Sequence, residues 1–234
     1  MRAQEFISTP VLLEGGNIWK NELATSRINR ADVIPTVRFL EKITGLPLVD
    51  RMLGSTGRKD TSGDLDLAVD ANLVDKSEIV AKLSAWAKAH DSSALVKKTG
   101  VSVHFRTPIN GNPDLGYVQT DFMFMPDVEF ALWSMAAFPS AYRGEYKHIV
   151  LASIAKFLGL KWSFRDGLIV RDSNTPLTQG KDPDYVAKIL LGPNATASDI
   201  TTVESIINAL ANDPDRDEKL ADARELLSSR GITI

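Results

Sequence analysis

Two aspartates, Asp64 and Asp66, stand in a segment that largely alternates acidic and apolar residues, Asp-Leu-Asp-Leu-Ala-Val-Asp. A period of two is typical of a β-strand, so both carboxylates are expected on one face while Leu65 and Leu67 face a core. Two carboxylates held this close repel each other, and a divalent cation between them removes the repulsion. Hard oxygen ligands suit Mg²⁺ or Mn²⁺. A half-exposed strand with a solvated acidic face is the alternative interpretation.

The segment before this strand has the composition of an anion-binding loop. It runs from Gly54 to Gly63 and combines glycines, hydroxyl side chains and two cations. Backbone N–H groups, hydroxyls and positive charge beside a metal site are what a triphosphate requires. A polar surface turn would explain the glycines equally well, but it would not explain why the loop continues directly into paired carboxylates.

A third acid, Asp121, interrupts the largely apolar segment Tyr117 to Met125, which we interpret as a strand. A lone carboxylate in such a strand costs stability unless it is paired or coordinated. A charge that guards an edge strand is the alternative. Because two other aspartates are paired on an earlier strand, we favour coordination and predict that Asp121 joins their metal site.

The remaining periodicity predicts the elements that position these residues. Helices are expected from Asp32 and after Asp75, a strand over 101–106, and a two-residue hairpin turn at Asp166-Gly167. Further helices are expected over 128–138, 145–158, 183–191, 198–211 and 215–229. Together these elements predict an α+β fold, in which a mixed sheet bears the acids on one face and is backed by helices, followed by a helical C-terminal part. The predicted parts are an N-terminal arm (1–31), a core (32–130), helices with a hairpin (131–180) and a C-terminal helical extension (181–234).

The composition excludes several classes of protein. The chain carries a net charge of −3, so its bulk charge gives no support for nucleic-acid binding. The absence of cysteine excludes disulfides and thiolate zinc sites and fits a cytoplasmic protein. No apolar run approaches the roughly 18 residues of a membrane helix, so no membrane association is expected. The histidines are too scattered along the chain to suggest a zinc site, and nothing indicates an oligomeric state.

The charges are unevenly distributed along the chain. Residues 140–171 carry six basic and two acidic side chains, whereas residues 181–234 carry six basic and ten acidic ones. Arg143, Lys147 and His148 in the basic segment are candidates to contact a nucleic-acid backbone or the tail of a triphosphate. A solvated helix face is the alternative.

Together these motifs resemble the signature of the polymerase-beta nucleotidyltransferase superfamily. That signature is a Gly-Ser pair, a short loop, an Asp-x-Asp on a strand and a third acid on a later strand. Here Leu53-Gly54-Ser55, then Ser62-Gly63-Asp64-Leu65-Asp66-Leu67, then Asp121 match it in order and spacing. The resemblance covers residues 50–171, in which the part after Asp121 is similar to the palm-to-thumb region of family X DNA polymerases. The loop is also similar to that of phage-encoded nucleotidyltransferases.

The resemblance implies a polymerase-beta-like fold with a palm-like core and a thumb-like region, and an enzyme that moves an NMP or dNMP from an NTP, such as ATP, or a dNTP to an acceptor hydroxyl. It implies two Mg²⁺ or Mn²⁺ ions. Asp64 and Asp66 would hold both, and Asp121 would complete the site of the ion that activates the acceptor. The implied nucleotide contacts are Ser55, Arg58 and Gly63, with Lys59 and Ser62 behind them and Gly54 at the start of the loop.

The chain departs from family X in two places. The segment from Ala136 to Ser140 stands where those enzymes carry Tyr-Phe-Thr-Gly against the incoming sugar. There is also no room before residue 50 for their helix-hairpin-helix domain. Sugar choice and template use therefore stay open. The predicted acceptor is the 3′ end of a nucleic acid, either tRNA or DNA. A protein or small-molecule hydroxyl is one alternative, which the negative net charge favours, and a catalytically inert relic that binds a nucleotide or a partner is another.

Overall fold

The computed structural model describes residues 18–19 and 24–234, which form two compact units, residues up to 133 and residues 134–234. Most of the arm predicted over residues 1–31 lies outside the described residues. The boundary between the units falls close to the predicted end of the core, and the segments 134–180 and 181–234 belong to one unit. Within the described part of the chain, no helix has both the length and the apolar character needed to cross a membrane.

The first unit contains a mixed sheet that packs against helices, as the sequence predicts. In this sheet one pair of strands is parallel and the other two pairs are antiparallel. Its elements, in chain order, are β1 (Ile28–Asn29), α1 (Arg30–Thr44), β2 (Thr61–Ser62), β3 (Asp64–Asp70), α2 (Lys76–His90), β4 (Val96–Thr99), β5 (Ser102–Pro108), β6 (Tyr117–Met125) and α3 (Val128–Ser134). The main sheet has the order β3-β6-β5-β4, in which β3 and β6 are the parallel pair, and β1 and β2 form a separate two-stranded ribbon.

One face of the main sheet forms the hydrophobic core with α1 and α2. The alternating residues Leu65, Leu67 and Val69 of β3 are fully buried there, among apolar side chains such as Val37 and Leu83 from the two helices. Burying each leucine stabilises the fold by about 1.5–3 kcal/mol. Because successive side chains of a strand point to opposite faces, this burial leaves the aspartates of β3 on the other face.

The ends of the two core helices differ in detail from the prediction. Helix α1 begins at Arg30, two residues before Asp32, from which it was expected, and ends at Thr44, after which the C-cap residue Gly45 adopts a left-handed conformation with φ +75°. The side chain of Asp75 caps α2 by accepting a hydrogen bond from the backbone N–H of Ser77 at 2.6 Å. Glu78, in the first turn of α2, pairs with Lys82 one turn later.

The second unit is helical apart from one hairpin. It contains α4 (Gly144–Phe157), β7 (Leu160–Ser163), β8 (Gly167–Val170), α5 (Pro183–Leu191), α6 (Val203–Ala209) and α7 (Arg216–Ser228). Helix α4 is its central element, since most of its middle residues are buried, and it packs along α7. The helix predicted over 128–138 already ends at Ser134, and the one predicted over 198–211 is a 3₁₀ turn (Ala197–Ile200) followed by α6.

The hairpin of the second unit has a longer turn than predicted. Ser163 pairs with Gly167, so three residues form the turn rather than the two that Asp166-Gly167 suggested. The Ser163 hydroxyl accepts hydrogen bonds from the backbone N–H groups of Arg165 and Asp166, both at 3.1 Å, and thereby stabilises the wider turn. Gly167 has φ +76°, the left-handed conformation that ends three-residue hairpin loops.

Candidate metal and nucleotide site

The three predicted aspartates lie together on the polar face of the main sheet. Asp64 and Asp66 share this face of β3, and the parallel register places Asp121 of β6 directly opposite Asp66. One carboxylate oxygen from each residue lies within 4.8 Å of the other two. Ionised carboxylates at this spacing repel one another, and a divalent cation bound between them would remove that repulsion. The cluster could therefore hold such an ion.

Asp121 is the most deeply placed of the three and is held by two neighbours. Asp121 is 6% exposed, whereas Asp64 and Asp66 are half-buried. His104 Nδ1 lies 2.7 Å from Asp121 Oδ1, and the Gln119 amide donates from Nε2 to Oδ2 at 3.1 Å. An ionised carboxylate offers about four lone-pair directions. Two hydrogen bonds therefore leave acceptor capacity on both oxygens for a cation.

His104 is a site residue that the sequence prediction missed. It lies on β5 directly opposite Asp121, is 5% exposed, and has its other ring nitrogen, Nε2, 2.5 Å from Thr99 Oγ1. The signal was present in the sequence, because Ser102, His104 and Arg106 alternate with apolar residues in a predicted strand. That alternation places all three on the face opposite the core. The pairing of β5 with β6, which brings His104 to Asp121, has no local signal.

Hydrogen bonds join the Gly54–Gly63 loop, and Leu53 just before it, to the backbone of Asp66. The backbone N–H of Leu53 donates to the Asp66 carbonyl at 2.8 Å, and the Thr56 hydroxyl accepts from the Asp66 N–H at 3.1 Å. Gly54 has φ +58°, and a Cβ built on it would lie 3.9 Å from Asp66 Oδ2. The predicted loop and the predicted metal ligands are therefore neighbours.

The loop residues proposed to contact a triphosphate differ in their exposure. Arg58, Lys59 and Gly63 are exposed and Ser55 is half-buried. Ser62 is buried, and its hydroxyl accepts the backbone N–H of Gly57 at 3.2 Å. Ser62 therefore maintains the shape of the loop, whereas the exposed residues can reach a ligand.

Arg27 adds a third cation to this loop and was not predicted. Its Nε and Nη2 donate to the side-chain and backbone oxygens of Thr61, both at 2.9 Å. Its Nη1 lies 3.2 Å from the position of a Cβ built on Gly63, the residue before Asp64. An exposed arginine is thus held beside Gly63, the residue that precedes Asp64. It belongs to a segment without periodicity, so its position depends on the pairing of β1 with β2.

The three candidates of the basic segment, Arg143, Lys147 and His148, lie in the second unit. The polar groups of Lys147 and His148 are hydrogen-bonded within it. Lys147 is 5% exposed, donates to the Ala136 carbonyl at 3.2 Å, and burial lowers its pKa to about 8. His148 accepts the indole N–H of Trp162 at 3.1 Å; burial, and secondarily the charge of Lys147, lowers its pKa to about 3. Both polar groups therefore have partners within the unit, and a contact of these residues with a nucleic acid or a triphosphate stays a prediction. Arg143 remains exposed, with its guanidinium 3.4 Å from Glu145.

Comparison with known proteins adds no family to this description. No protein-family model matches the sequence, and no curated protein has significant similarity to it.

Proposed function

We propose that this protein is a polymerase-beta-like nucleotidyltransferase that uses divalent cations to move an NMP or dNMP from a nucleoside triphosphate to an acceptor hydroxyl. The observation that carries the proposal is the meeting of Asp64, Asp66 and Asp121 on one sheet face, next to the Gly54–Gly63 loop. This combines a cluster of hard oxygen ligands with a loop that exposes glycines and cations.

The donor set fits Mg²⁺ or Mn²⁺. All three ligands are carboxylates, and Asp121 keeps acceptor capacity beyond its two hydrogen bonds. We propose that Asp64 and Asp66 hold two ions and that Asp121 completes the site of one of them. When bound, the ions would lower the pKa of the acceptor hydroxyl and neutralise charge on the triphosphate.

The loop and Arg27 would bind the triphosphate. The guanidinium of Arg27 is already oriented by Thr61, so little side-chain freedom is lost when it meets a phosphate oxygen. Arg58 and Lys59 are exposed on the same loop and supply further positive charge. This charge also offsets the repulsion between the phosphates and the nearby aspartates.

The reaction is a displacement at the α-phosphorus. The acceptor oxygen forms a bond to this phosphorus, the bond from the phosphorus to the oxygen bridging to the β-phosphate breaks, and pyrophosphate leaves. The hydroxyl proton goes to a carboxylate of the site or to water. In this reaction the protein contributes positioning and charge, so catalysis would depend on the side chains that are held in place at the site.

We propose a nucleic-acid 3′ end as the acceptor, with a protein or small-molecule hydroxyl as the alternative. The net charge of −3 favours the alternative. The salt dependence of acceptor binding distinguishes the two kinds of acceptor, because binding to a nucleic-acid backbone weakens steeply as the salt concentration rises.

The test is transfer of label from each α-labelled NTP and dNTP, with Mg²⁺ or Mn²⁺, to pooled tRNA, primed DNA, single-stranded oligonucleotides and lysate proteins. Asp66→Asn is the inactive variant. Asp70→Asn is the matched control, because Asp70 lies on the same strand but its carboxylate accepts from Asn72 in the following turn. Transfer that Asp66→Asn abolishes and Asp70→Asn retains supports the proposal. No transfer to any pool, together with no metal-dependent binding of nucleotide, would overturn it.

A further inference from the structure

We propose that His104 is a positioning residue that fixes the carboxylate of Asp121 in the orientation needed to bind a metal ion. The inference rests on the proposed function, because it assigns a role within the same site. It starts from one row of residues across the sheet, in which Asp66, Asp121 and His104 occupy opposing positions on three adjacent strands. Asp121 lies in the middle of this row, between another acid and a hydrogen-bond donor.

The direction of the hydrogen bond follows from the chemistry of its partners. An ionised carboxylate only accepts, so His104 Nδ1 must carry a proton and donate it to Asp121 Oδ1 across 2.7 Å. In a neutral ring Nε2 then accepts from the Thr99 hydroxyl. The Nδ1–H donor is present in both charge states of this ring, so the orienting contact does not depend on whether the ring carries a charge.

Gln119 completes the hold on the carboxylate from the other side. Its Oε1 accepts the backbone N–H of Ile18 at 3.0 Å, which directs Nε2 towards Asp121 Oδ2. Each oxygen of Asp121 thus has one fixed donor, and rotation of the carboxylate about its bond to Cβ would break both bonds. These two hydrogen bonds therefore fix the directions of the Asp121 lone pairs that remain for a metal ion.

A residue that only fills space could be replaced by any side chain of similar shape, whereas a positioning residue needs its hydrogen-bond donor. His104→Phe keeps a planar ring but has no N–H. His104→Asn removes the ring but can place its amide N–H near the position of Nδ1. A shape-filling role predicts that Phe is tolerated better than Asn, and the positioning role predicts the reverse order.

The experiment measures Mn²⁺ affinity of the nucleotide-free protein by electron paramagnetic resonance of the free ion, and kcat and KM for the NTP by label transfer. Exposed His90 provides the matched control His90→Asn. We expect His104→Phe to lower Mn²⁺ affinity and kcat by roughly 10- to 100-fold, the range for loss of a partner that orients a metal ligand, while KM for the NTP changes little. His104→Asn should recover most of both, and His90→Asn should match the wild type.

The inference is overturned if His104→Phe retains wild-type Mn²⁺ affinity, or if His104→Asn is damaged as severely as His104→Phe. If His104→Phe does not fold, His104→Leu replaces it, because leucine has nearly the shape of asparagine but no N–H. Equal Mn²⁺ affinity in His104→Leu and His104→Asn would then overturn the inference. A wild type that binds Mn²⁺ but neither transfers nucleotide to any pool nor binds it in a metal-dependent way refutes the proposed function alone, since the affinity series still tests His104. A wild type that binds no Mn²⁺ refutes both.

Discussion

Asp121 lies directly opposite Asp66 across a parallel pair of strands, although a helix and two other strands separate the two residues in the chain. The third acid therefore reaches the first two through tertiary pairing, and the repulsion within the cluster is imposed by the fold. The proposed function links stability, metal binding and activity at this point of the molecule, and each can be tested separately.

Removal of one carboxylate should relieve the repulsion. In EDTA, Asp64→Asn should raise the melting temperature by a few degrees, because a gain of about 1 kcal/mol shifts the melting temperature of a chain of this size by roughly 2–4 °C. Adding millimolar Mn²⁺ should stabilise the wild type and leave the variant nearly unchanged, since an ion that binds only the folded state stabilises it. Differential scanning calorimetry of both proteins checks this. A lower melting temperature of Asp64→Asn in EDTA would show that the carboxylates are already compensated without metal.

Arg27 should contribute to nucleotide affinity. A hydrogen bond to a charged group is worth about 1.5–3 kcal/mol, so Arg27→Ala should raise KM for the NTP by about 10-fold or more while kcat changes less. Arg38→Ala is the control, because Arg38 is an exposed arginine on α1. Steady-state kinetics of the three proteins, with a thermal melt of each to verify folding, provide the comparison. Equal KM values for Arg27→Ala and Arg38→Ala would remove Arg27 from the site.

Gly54 should be needed for both the backbone and the site. Its φ of +58° is a left-handed conformation, so Gly54→Ala should cost about 1–2 kcal/mol of unfolding free energy. The strained backbone should also shift the contacts of Leu53 and Thr56 with Asp66 and thereby reduce Mn²⁺ affinity. Gly100→Ala is the matched control, because Gly100 has φ +49° and no atoms of the described residues, apart from its chain neighbours, lie within 4 Å of its Cβ position. The control should lose similar stability and retain Mn²⁺ affinity. Urea unfolding and Mn²⁺ titration separate the two effects, and equal Mn²⁺ affinity in both variants would contradict the prediction.

Lys147 should make the stability of the protein depend on alkaline pH. Burial lowers its pKa from 10.5 to about 8, so between these values the unfolded chain holds a proton that the folded chain has lost. The free energy of unfolding should therefore rise with pH across this window, by about 3 kcal/mol in total, and the contribution should be absent below pH 8. Urea unfolding at pH 7.5 and pH 10 tests this. Lys147→Met should lack this part of the rise, and identical pH dependence in the two proteins would refute the assignment.

The sequence predicted the parts of the site that are encoded locally. The alternation of β3 placed Asp64 and Asp66 on one face, and the loop before it was recognisable from its glycines and cations. Asp121 was identified as an acid that an apolar strand would not otherwise tolerate. In the same way, the mixed sheet followed from strands and helices with clear periods.

The parts that were missed depend on pairing between distant segments. His104 reaches Asp121 only through the register of β5 and β6, and Arg27 reaches the loop through β1 and β2, which are two residues long and have no period to detect. Strand β4 escaped prediction because its residues Val96–Thr99 are mostly polar and none is fully buried. The turn after Ser163 was misjudged because a side-chain hydroxyl, rather than Asp166-Gly167 alone, determines its length.

The alternation of β3 also makes the position of its carboxylates depend on the burial of its leucines. A slip of one residue between β3 and β6 would turn Leu65 and Leu67 outwards and bring the aspartates into the apolar interior. Exposing the two leucines alone would forfeit about 3–6 kcal/mol, a large share of the stability of a typical domain. The register that buries the two leucines is therefore also the one that brings the three acids together.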